Sequence, residues 1–159
     1  MLKLRRVSKN DCKLIWKWAN DPDARAVSFS SEAISYKNHV RWFESKLKDA
    51  GCFFYIAENK NQKPVGQVRF ELEGDNATIN IIIAKQYRGK GYGSFLIRMA
   101  SNRFFGESDA AVIHAFVKEN NEASLGAFQK AGYTNVGIMT VSEQDSNHLT
   151  LKKTDQNEI

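Results

Sequence analysis

The sequence predicts a mixed α/β (α+β) domain in which a mostly antiparallel central sheet is flanked by helices. Apolar residues recur at helical spacing through about the first fifty residues, whereas aromatic and β-branched residues cluster in short runs from Cys52 onward. Three of these runs follow one another with only short turns between them, as in an antiparallel meander. A doubly wound fold would instead alternate each strand with a helix, so the order of elements excludes it.

Length and composition predict a single domain. At roughly 150 residues per domain, a chain of 159 residues fits one. Hydrophobic residues make up 42% of the chain and charged residues 26%, which is ordinary for a globular protein. We therefore expect one domain over residues 1–153, followed by a polar C-terminal tail over residues 154–159.

The first elements are a strand and two helices. Apolar and basic residues alternate over residues 2–7, which predicts a half-buried strand. Ser8 and Asp11 have the spacing of a capping box, and the Asn-Asp-Pro sequence at 20–22 supplies the end of the helix that follows. A second helix is expected to begin at Ser35. The expected apolar stripes are Leu14, Ile15 and Trp18 in the first helix and Tyr36, Val40, Phe43 and Leu47 in the second.

The remaining elements are a meander and then helices mixed with strands. The predicted strands cover residues 52–58, 65–73, 77–84, 111–117, 134–141 and 147–152. The predicted helices cover residues 94–105, with Phe95, Leu96 and Met99 inward, and residues 122–131, closed by Gly132.

Charge and cysteine usage favour some partners over others. Lys and Arg number 23 against 18 Asp and Glu, a net charge of +5 that suits an anionic ligand and fits a solvated surface equally well. The charge is dispersed and no RNA-binding aromatic motif is present, so a nucleic-acid partner is not expected. Cys12 and Cys52 lack the spacing of a metal or redox motif, which indicates reduced thiols and no metal. With no secretory signal and no membrane-spanning run, we expect a cytoplasmic protein without a membrane partner.

The segment with the clearest chemistry is Arg-Gly-Lys-Gly-Tyr-Gly-Ser at residues 88–94, between a predicted strand and a predicted helix. Glycines let successive backbone amides turn inward, and the following helix adds the free amides of its first turn. Arg88 and Lys90 supply positive charge at the rim. The Gly-Lys-Ser/Thr ending of a Walker loop is absent, and a Rossmann fingerprint would need a βαβ unit. The segment predicts a pyrophosphate-binding cradle, with a ligand-free glycine turn as the alternative.

Two motifs together resemble a known family. Arg88-x-x-Gly91-x-Gly93 between a strand and a helix is similar to the acetyl-coenzyme A loop of the Gcn5-related N-acetyltransferase (GNAT) superfamily. Downstream, Asn121-x-x-Ser124 resembles a second signature of that superfamily, and it is followed by Phe128 and by a Gly-aromatic pair at 132–133. The resemblance implies an acetyl-CoA-dependent N-acetyltransferase with the GNAT fold.

The same resemblance implies how acetyl-CoA binds. The co-substrate would wedge between a splayed strand pair, residues 79–83 and 111–117, and no metal would take part. Backbone groups of Ile81 and Ile83 would pair with the pantetheine arm, as an added strand does. The implied remaining contacts are the pyrophosphate loop (Arg88, Gly89, Lys90, Gly91, Tyr92, Gly93 and Ser94), with Asn121 and Phe128 beside the pantetheine.

The first half of the chain contains Trp-Ala-Asn-Asp-Pro at residues 18–22, then Arg25, Ile-Ser at 34–35, His39 and Trp42, and Gly-Gln-Val-Arg-Phe at 66–70. These residues resemble one branch of the superfamily, the UDP-aminosugar N-acetyltransferases of pseudaminic acid biosynthesis, which supply a sugar for flagellin glycosylation. The resemblance implies a UDP-linked 4-amino-4,6-dideoxy sugar as the acceptor, with the nucleotide sugar bound by Asn20, Arg25, His39 and Arg69. Some residues of this segment also have a structural interpretation: His39 can cap or pack, Arg69 can pair with Glu71, and Trp18 and Trp42 can belong to the core.

Other functions fit the same motifs. A ribosomal-protein or peptide N-terminal acetyltransferase would share the Asn121-x-x-Ser124 signature. A non-catalytic CoA-binding sensor domain would share the glycine loop. The oligomeric state is open between a monomer and a homodimer.

The catalytic residues are the least determined part of the prediction. Many relatives carry a Tyr that protonates the leaving thiolate, and the matching position here is Phe128. Ser124 lies one helical turn earlier on the same face and is the expected acid, although a helical Ser often bonds back to a carbonyl of its own helix. The candidate bases are Glu73, His114 and Glu119.

Overall fold

The computed structural model describes residues 1–154 and consists of one seven-stranded sheet with helices on both faces. The strands are β1 (Lys3–Arg6), β2 (Cys52–Glu58), β3 (Pro64–Glu73), β4 (Asn76–Ile83), β5 (Val112–Lys118), β6 (Thr134–Val141) and β7 (Gln144–Lys152). The helices are α1 (Cys12–Ala19), α2 (Pro22–Ala26), α3 (Tyr36–Lys48), α4 (Tyr92–Glu107) and α5 (Glu122–Lys130). Residues 155–159 of the predicted polar tail lie outside the described residues.

The sheet has the order β1-β2-β3-β4-β5-β7-β6. Strands β2 to β4 form the predicted antiparallel meander, with β1 paired antiparallel to the edge of β2, and β5, β7 and β6 form a second antiparallel group. The two groups join through a short parallel contact of β4 with β5. The expected mixed, mostly antiparallel sheet is confirmed.

The sequence between the first two predicted helices contains an additional short helix. Ser8 and Asp11 form the expected capping box, in which the Ser8 amide donates to Asp11 Oδ2 at 2.8 Å. Pro22 ends one helix and begins another, because proline fits the first turn of a helix, where an amide donor is not needed. The Asp21 carboxylate caps this helix α2 by accepting from the Ala24 amide.

Two predicted helix faces are rotated from their expected positions. In α3 the buried residues are His39 and Phe43, whereas Tyr36 and Leu47 are 44% and 39% exposed. In α4 Leu96 is buried but Phe95 is 52% exposed. Contact with the sheet selects which residues of each helix are buried.

Each face of the sheet carries its own core. Helices α4 and α5 cover one face, where Phe70, Phe104 and Ile113 belong to the larger cluster. Helices α1 and α3 cover the other face, where Ile15 and Phe43 belong to the smaller one. No helix in residues 1–154 is both long and apolar enough to cross a membrane.

Candidate active site

A gap opens in the sheet where β4 and β5 separate. The two strands are paired only at their beginnings, from Asn76 opposite Val112 to Thr78 opposite His114. Beyond this point β4 continues to Ile83 without pairing to β5. The predicted splayed strand pair is present, and a cavity of about 1220 Å³ follows it.

Backbone groups on both sides of the gap point into it. The Ala84 amide donates to the Val65 carbonyl at 2.9 Å, and bonding to the neighbouring strand alternates along an antiparallel pair. Ile81 and Ile83 therefore direct their backbone groups away from β3 and toward β5. On the other side the Lys153 amide bonds the Ala111 carbonyl, so the same alternation directs the Phe116 backbone toward β4. Such edges can accept an extended ligand as an added strand.

The glycine loop adopts the shape of an anion cradle. Gly89 and Gly91 have φ of +73° and +82°, a conformation that glycine adopts without strain, and Gly91 caps α4. The first amides of α4 have no partner within the helix and face the cavity, as expected at an anion-binding helix N-terminus. A Cβ on either glycine would meet nothing within 4 Å, so the space above the loop is open to a ligand. These observations fit the pyrophosphate of acetyl-CoA.

The two cations of the loop differ from the expected arrangement. Arg88 Nη1 lies 2.9 Å from Asp21 Oδ2, and Arg88 Nε donates to the Ile83 carbonyl at 2.9 Å. Arg88 lines the cavity but is committed to these contacts, so its first role is to tie the loop to α2. Lys90 does not line the cavity, and its Nζ lies 5.9 Å from the centre of the Tyr87 ring.

Helix α5 closes the cavity on the β5 side. Asn121 caps the helix, because its Oδ1 accepts from the Ser124 amide at 3.2 Å. Both residues line the cavity, as does the buried Phe128, whose ring packs edge-on against Tyr133. Tyr133 is fully enclosed and bonded to Ser101 at 2.8 Å, and burial raises the pKa of its hydroxyl above the usual value. Tyr133 is therefore unsuited to proton transfer, and Ser124 is the hydroxyl that α5 presents.

The predicted bases lie away from the cavity. Glu73 is exposed at the end of β3, next to the turn into β4, and Glu119 is exposed after β5; neither lines the cavity. His114 lies where β4 and β5 are still paired, with its ring nitrogens 2.8 Å from His148 Nε2 and 2.7 Å from Asn76 Oδ1. The prediction placed His114 on a strand beside the cleft, but the cleft begins only where β4 and β5 have separated, beyond His114.

Two predicted acceptor contacts instead hold the N-terminal segment together. Asn20 does not line the cavity; its side chain bonds both the amide and the carbonyl of Ile34, at 2.7 and 2.9 Å. Arg25 does line the cavity, but its guanidinium donates to the carbonyls of Ala19, Ser30 and Glu32. Burial lowers the pKa of Arg25 below its usual value. The Arg25 side chain therefore supports the cavity wall by holding these three carbonyls in place.

His39 and Arg69 lie together on the side of the cavity that α1, α2, α3 and β3 form, with Trp42 between them. We call this the acceptor side of the cavity. His39 Nε2 is 2.8 Å from the Cys12 carbonyl, and because a carbonyl only accepts, Nε2 carries the proton and Nδ1 keeps its lone pair. Burial lowers the pKa of His39, against the opposing effect of that hydrogen bond, and favours the neutral ring. The Arg69 guanidinium lies 4.8 Å from the centre of the Trp42 ring and 3.8 Å from the Glu71 carboxylate.

The cavity floor also contains polar residues that the sequence interpretation did not assign. Gln67 is buried on β3 and donates through Nε2 to Asn80 Oδ1 on β4 at 3.0 Å. A signal for them was present: polar residues at 67 and 69 alternate with apolar ones in a strand that is otherwise buried.

Comparisons with known proteins agree with this geometry. A sequence profile described as an acetyltransferase (GNAT) domain matches residues 1–134. YwnH of Bacillus subtilis strain 168, whose name assigns it provisionally as a phosphinothricin acetyltransferase, is 26% identical over 136 residues, covering 81% of this chain and 82% of YwnH. The uncharacterized, SPbeta prophage-derived N-acetyltransferase YokL of the same organism is 28% identical over 140 residues, covering 86% of this chain and 77% of YokL.

Solved structures share the fold over nearly the whole chain. The aminoglycoside acetyltransferase AAC(6')-Ib, in complex with ribostamycin and coenzyme A, superposes with a TM-score of 0.86 at 19% identity, covering 98% of this chain and 96% of that one. The spermidine N-acetyltransferase from Vibrio cholerae, in complex with CoA and spermine, gives 0.87 at 20% identity, with 97% and 96% covered. The splayed strands, the glycine cradle and the family profile lead to one assignment. The chain belongs to the GNAT acetyltransferase family and is an acetyl-CoA-dependent N-acetyltransferase.

Proposed function

We propose that this enzyme transfers the acetyl group of acetyl-CoA to the 4-amino group of a UDP-linked 4-amino-4,6-dideoxy sugar, as a step of pseudaminic acid synthesis for flagellin glycosylation. The observation that carries the proposal is the charge of the acceptor side of the cavity. Arg69 and Lys118 bring positive charge there; of the acids that line the cavity, Asp23 lies 3.5 Å from Arg88 and Glu122 is exposed at the start of α5. A cationic wall favours an acceptor that carries an anion, such as a nucleoside diphosphate.

Lys118 contributes to this wall from β5. Its Nζ lies 3.3 Å from the Ser28 carbonyl and 3.5 Å from the Ala26 carbonyl, near the end of α2. Both of these partners are uncharged. These contacts therefore do not neutralise the positive charge that the Lys118 ammonium presents to a ligand. Arg69 is likewise neutralised only in part, because its contact with Glu71 is 3.8 Å long.

The aromatic surface beside Arg69 suits a sugar nucleotide. Trp42 is half-buried, lines the cavity and lies under the Arg69 guanidinium. A ring held in this way offers a flat apolar surface to a base or a pyranose. The adjacent guanidinium supplies the hydrogen-bond donors that a phosphate oxygen needs.

The glycine loop, β4 and α5 have different roles in binding acetyl-CoA and in the transfer of its acetyl group. We propose that the amides of residues 89–94 bind the pyrophosphate and that Ile81 and Ile83 align the pantetheine arm along the edge of β4. Asn121 and Phe128 support that arm from α5. The neutral acceptor amine attacks the thioester carbonyl, and the C–S bond breaks as the Ser124 hydroxyl donates a proton to the departing thiolate. The proton that the amine nitrogen loses passes through solvent and restores the Ser124 hydroxyl.

The acceptors named with the solved structures are positively charged, whereas a nucleotide sugar is negatively charged. Aminoglycosides and polyamines are polycations at neutral pH, and a cationic wall repels them. The peptide alternative is less affected by charge, because an N-terminal peptide carries only one obligatory ammonium. A CoA-binding sensor without an acceptor would need none of the polar groups on the β3 face.

A transfer assay with a panel of amines tests the acceptor. The panel contains a UDP-4-amino-4,6-dideoxy sugar, kanamycin, spermidine and an N-terminal peptide, each with acetyl-CoA. We expect the UDP-aminosugar to have the highest kcat/KM and Lys118→Ala to lower that value while leaving the KM of acetyl-CoA unchanged. A higher kcat/KM for the peptide would support the peptide alternative, and turnover of no amine at all would support the sensor.

A homodimer is part of the same proposal. Strand β6 is an edge of the sheet and exposes Val136, Ile138 and Met139 by 55%, 59% and 46%. Its sequence has no charged residue to discourage edge pairing, so antiparallel pairing with β6 of a second copy would cover the apolar residues. Light scattering tests this: we expect a dimer that Ile138→Lys converts to a monomer, and a monomeric wild type would contradict it.

A further inference from the structure

The floor of the acceptor cavity contains a buried amide with an unmet hydrogen-bonding group. Gln67 is 1% exposed, and its Oε1 has no hydrogen-bond partner within residues 1–154. Its Nε2 is already engaged, because it donates to Asn80 Oδ1 at 3.0 Å. Rotating the amide by half a turn would free Nε2 instead, so one group of Gln67 is left over in either orientation.

Buried polar groups are nearly always hydrogen-bonded in folded proteins, so an unpaired one needs an explanation. Gln67 is not enclosed in an apolar core that could be repacked around it. It lines the acceptor cavity together with Arg69 and Asn80, and the three side chains share the face of β3 and β4 that α1 and α3 cover. A partner delivered by a ligand in the cavity accounts for the unpaired oxygen.

The Gln67 amide lies near the edge of β4 that faces the gap between β4 and β5. Asn80, which holds Gln67, is the neighbour of Ile81 on β4, and the backbone of Ile81 faces the gap between β4 and β5. Arg69, opposite Asn80 in the pairing, presents a second buried group without a hydrogen bond, its Nε, which lies 3.8 Å from Glu71 Oε2. A hydrogen-bond acceptor and a cationic donor thus lie side by side, next to the strand edge that holds the thioester arm.

We propose that Gln67 is a specificity-determining residue that binds the acceptor: its Oε1 accepts a hydrogen bond from the N–H of the amine to be acetylated, while Arg69 binds an anionic group of the same molecule. Asn80 is a positioning residue that fixes the orientation of the Gln67 amide. The inference rests on the proposed function, since it assigns residues of that same site. It also names the class of acceptor that fits, a primary amine and an anion within one small molecule.

Gln67→Met tests the proposal, because methionine matches glutamine in length and flexibility but offers no comparable acceptor. With the UDP-4-amino-4,6-dideoxy sugar, we expect the KM of the amine to rise about tenfold or more while kcat and the KM of acetyl-CoA stay unchanged, so that only kcat/KM for the amine falls. Asn80→Ala should give a smaller loss in the same direction. Gln129→Met, which makes the same change at an exposed position outside the cavity on α5, is the matched control and should have no effect.

The melting temperature of the free protein separates a binding role from a structural one and requires no acceptor. Gln67→Met also removes the Nε2 bond to Asn80, so the comparison is made in the Asn80→Ala background, where that bond is already absent. If Oε1 has no partner within the protein, adding Gln67→Met to Asn80→Ala leaves the melting temperature unchanged or raises it. A fall of several degrees overturns the proposal, because it would show that the oxygen is bonded in the free enzyme. An equal loss of kcat/KM for acetyl-CoA and for the amine also overturns it.

The proposed acceptor and the role of Gln67 can fail separately. If a panel amine other than the UDP-aminosugar has the highest kcat/KM, the variants are measured with that amine. A selective loss in Gln67→Met then supports Gln67 and contradicts only the nucleotide sugar. A normal amine KM in Gln67→Met, with whichever amine is used, contradicts the role of Gln67 and leaves the acceptor class standing.

Discussion

Arg88 and Asp21 lie 67 positions apart in the chain and form an ion pair, with Arg88 Nη1 2.9 Å from Asp21 Oδ2. The same carboxylate caps α2, and the same guanidinium bonds the Ile83 carbonyl at the end of β4. One ion pair therefore joins the glycine loop to the helical segment that contains α2, and residues of both line the cavity. The two halves of the cavity are fixed to each other at this point.

Asp21→Asn removes the charge while keeping an oxygen that can cap α2. We expect the free energy of unfolding at pH 7 to fall by about 1 kcal/mol, the upper range for a partly exposed pair. Burial raises the pKa of Asp21, but the hydrogen bond and charge of Arg88 outweigh it and hold the pKa below its usual value. A carboxylate with a lowered pKa stabilises the fold above its unfolded pKa and loses that contribution as the pH falls through its folded pKa. Urea unfolding should therefore show a smaller difference between wild type and variant at pH 3 than at pH 7, and an equal difference at both pH values would contradict the pair.

Gly91→Val should abolish tight acetyl-CoA binding and leave the protein folded. The φ of +82° imposes a strain of about 1–2 kcal/mol on a residue with a side chain, and valine would occupy the open space above the loop. We expect a dissociation constant for acetyl-CoA at least about tenfold higher by calorimetry. Gly106→Ala is the control, because a Cβ there meets nothing within 4 Å, and it lies near the other end of α4. Wild-type binding by Gly91→Val would refute the cradle.

Ser124→Ala tests the proposed proton donor. General acids typically contribute 10²–10⁴-fold, and we expect kcat to fall by about 10² with the KM of acetyl-CoA unchanged. Glu73→Gln and His114→Ala should retain wild-type kcat across the pH range, because neither residue lines the cavity. Full activity of Ser124→Ala at every pH would assign the proton to solvent.

The protein should lose stability as the pH falls from 7.5 to 5.5, a range spanning the ordinary histidine pKa of about 6.5. Burial lowers the pKa of His39, and burial together with the charge of His148 lowers that of His114. A histidine with a lowered pKa binds fewer protons folded than unfolded, so its contribution is complete above the unfolded pKa and is lost at lower pH. His39→Gln keeps a donor for the Cys12 carbonyl but does not titrate. The free energy of unfolding should be measured at both pH values. Its pH dependence should be smaller in His39→Gln and in His114→Gln than in the wild type, and smallest of all in the double variant. An unchanged pH dependence in all three variants would contradict these shifts.

Much of the fold was predictable because its information is local or periodic. The capping box of Ser8 and Asp11 needs only the order of a few residues, and β2 and β6 begin and end as predicted because β-branched and aromatic residues fill them. The glycine loop could be recognised for the same reason. A positive φ at Gly89 and Gly91 is a property of the residue type and its immediate neighbours.

The sequence by itself determined the element types, the glycine cradle and the family, whereas the tertiary structure decided which polar side chains meet in the cavity. His114 and Phe116 occupy alternate positions on β5, yet only Phe116 lines the cavity, because the strands separate after Thr78 and His114. Asn20 was expected to contact the acceptor, but the chain returns at Ile34 and satisfies its amide there. Gln67 became a candidate only when its surroundings showed an oxygen without a partner. Propensity and motif depend on near neighbours in the chain, whereas the partners of a buried polar group come from distant segments whose approach only the packed sheet fixes.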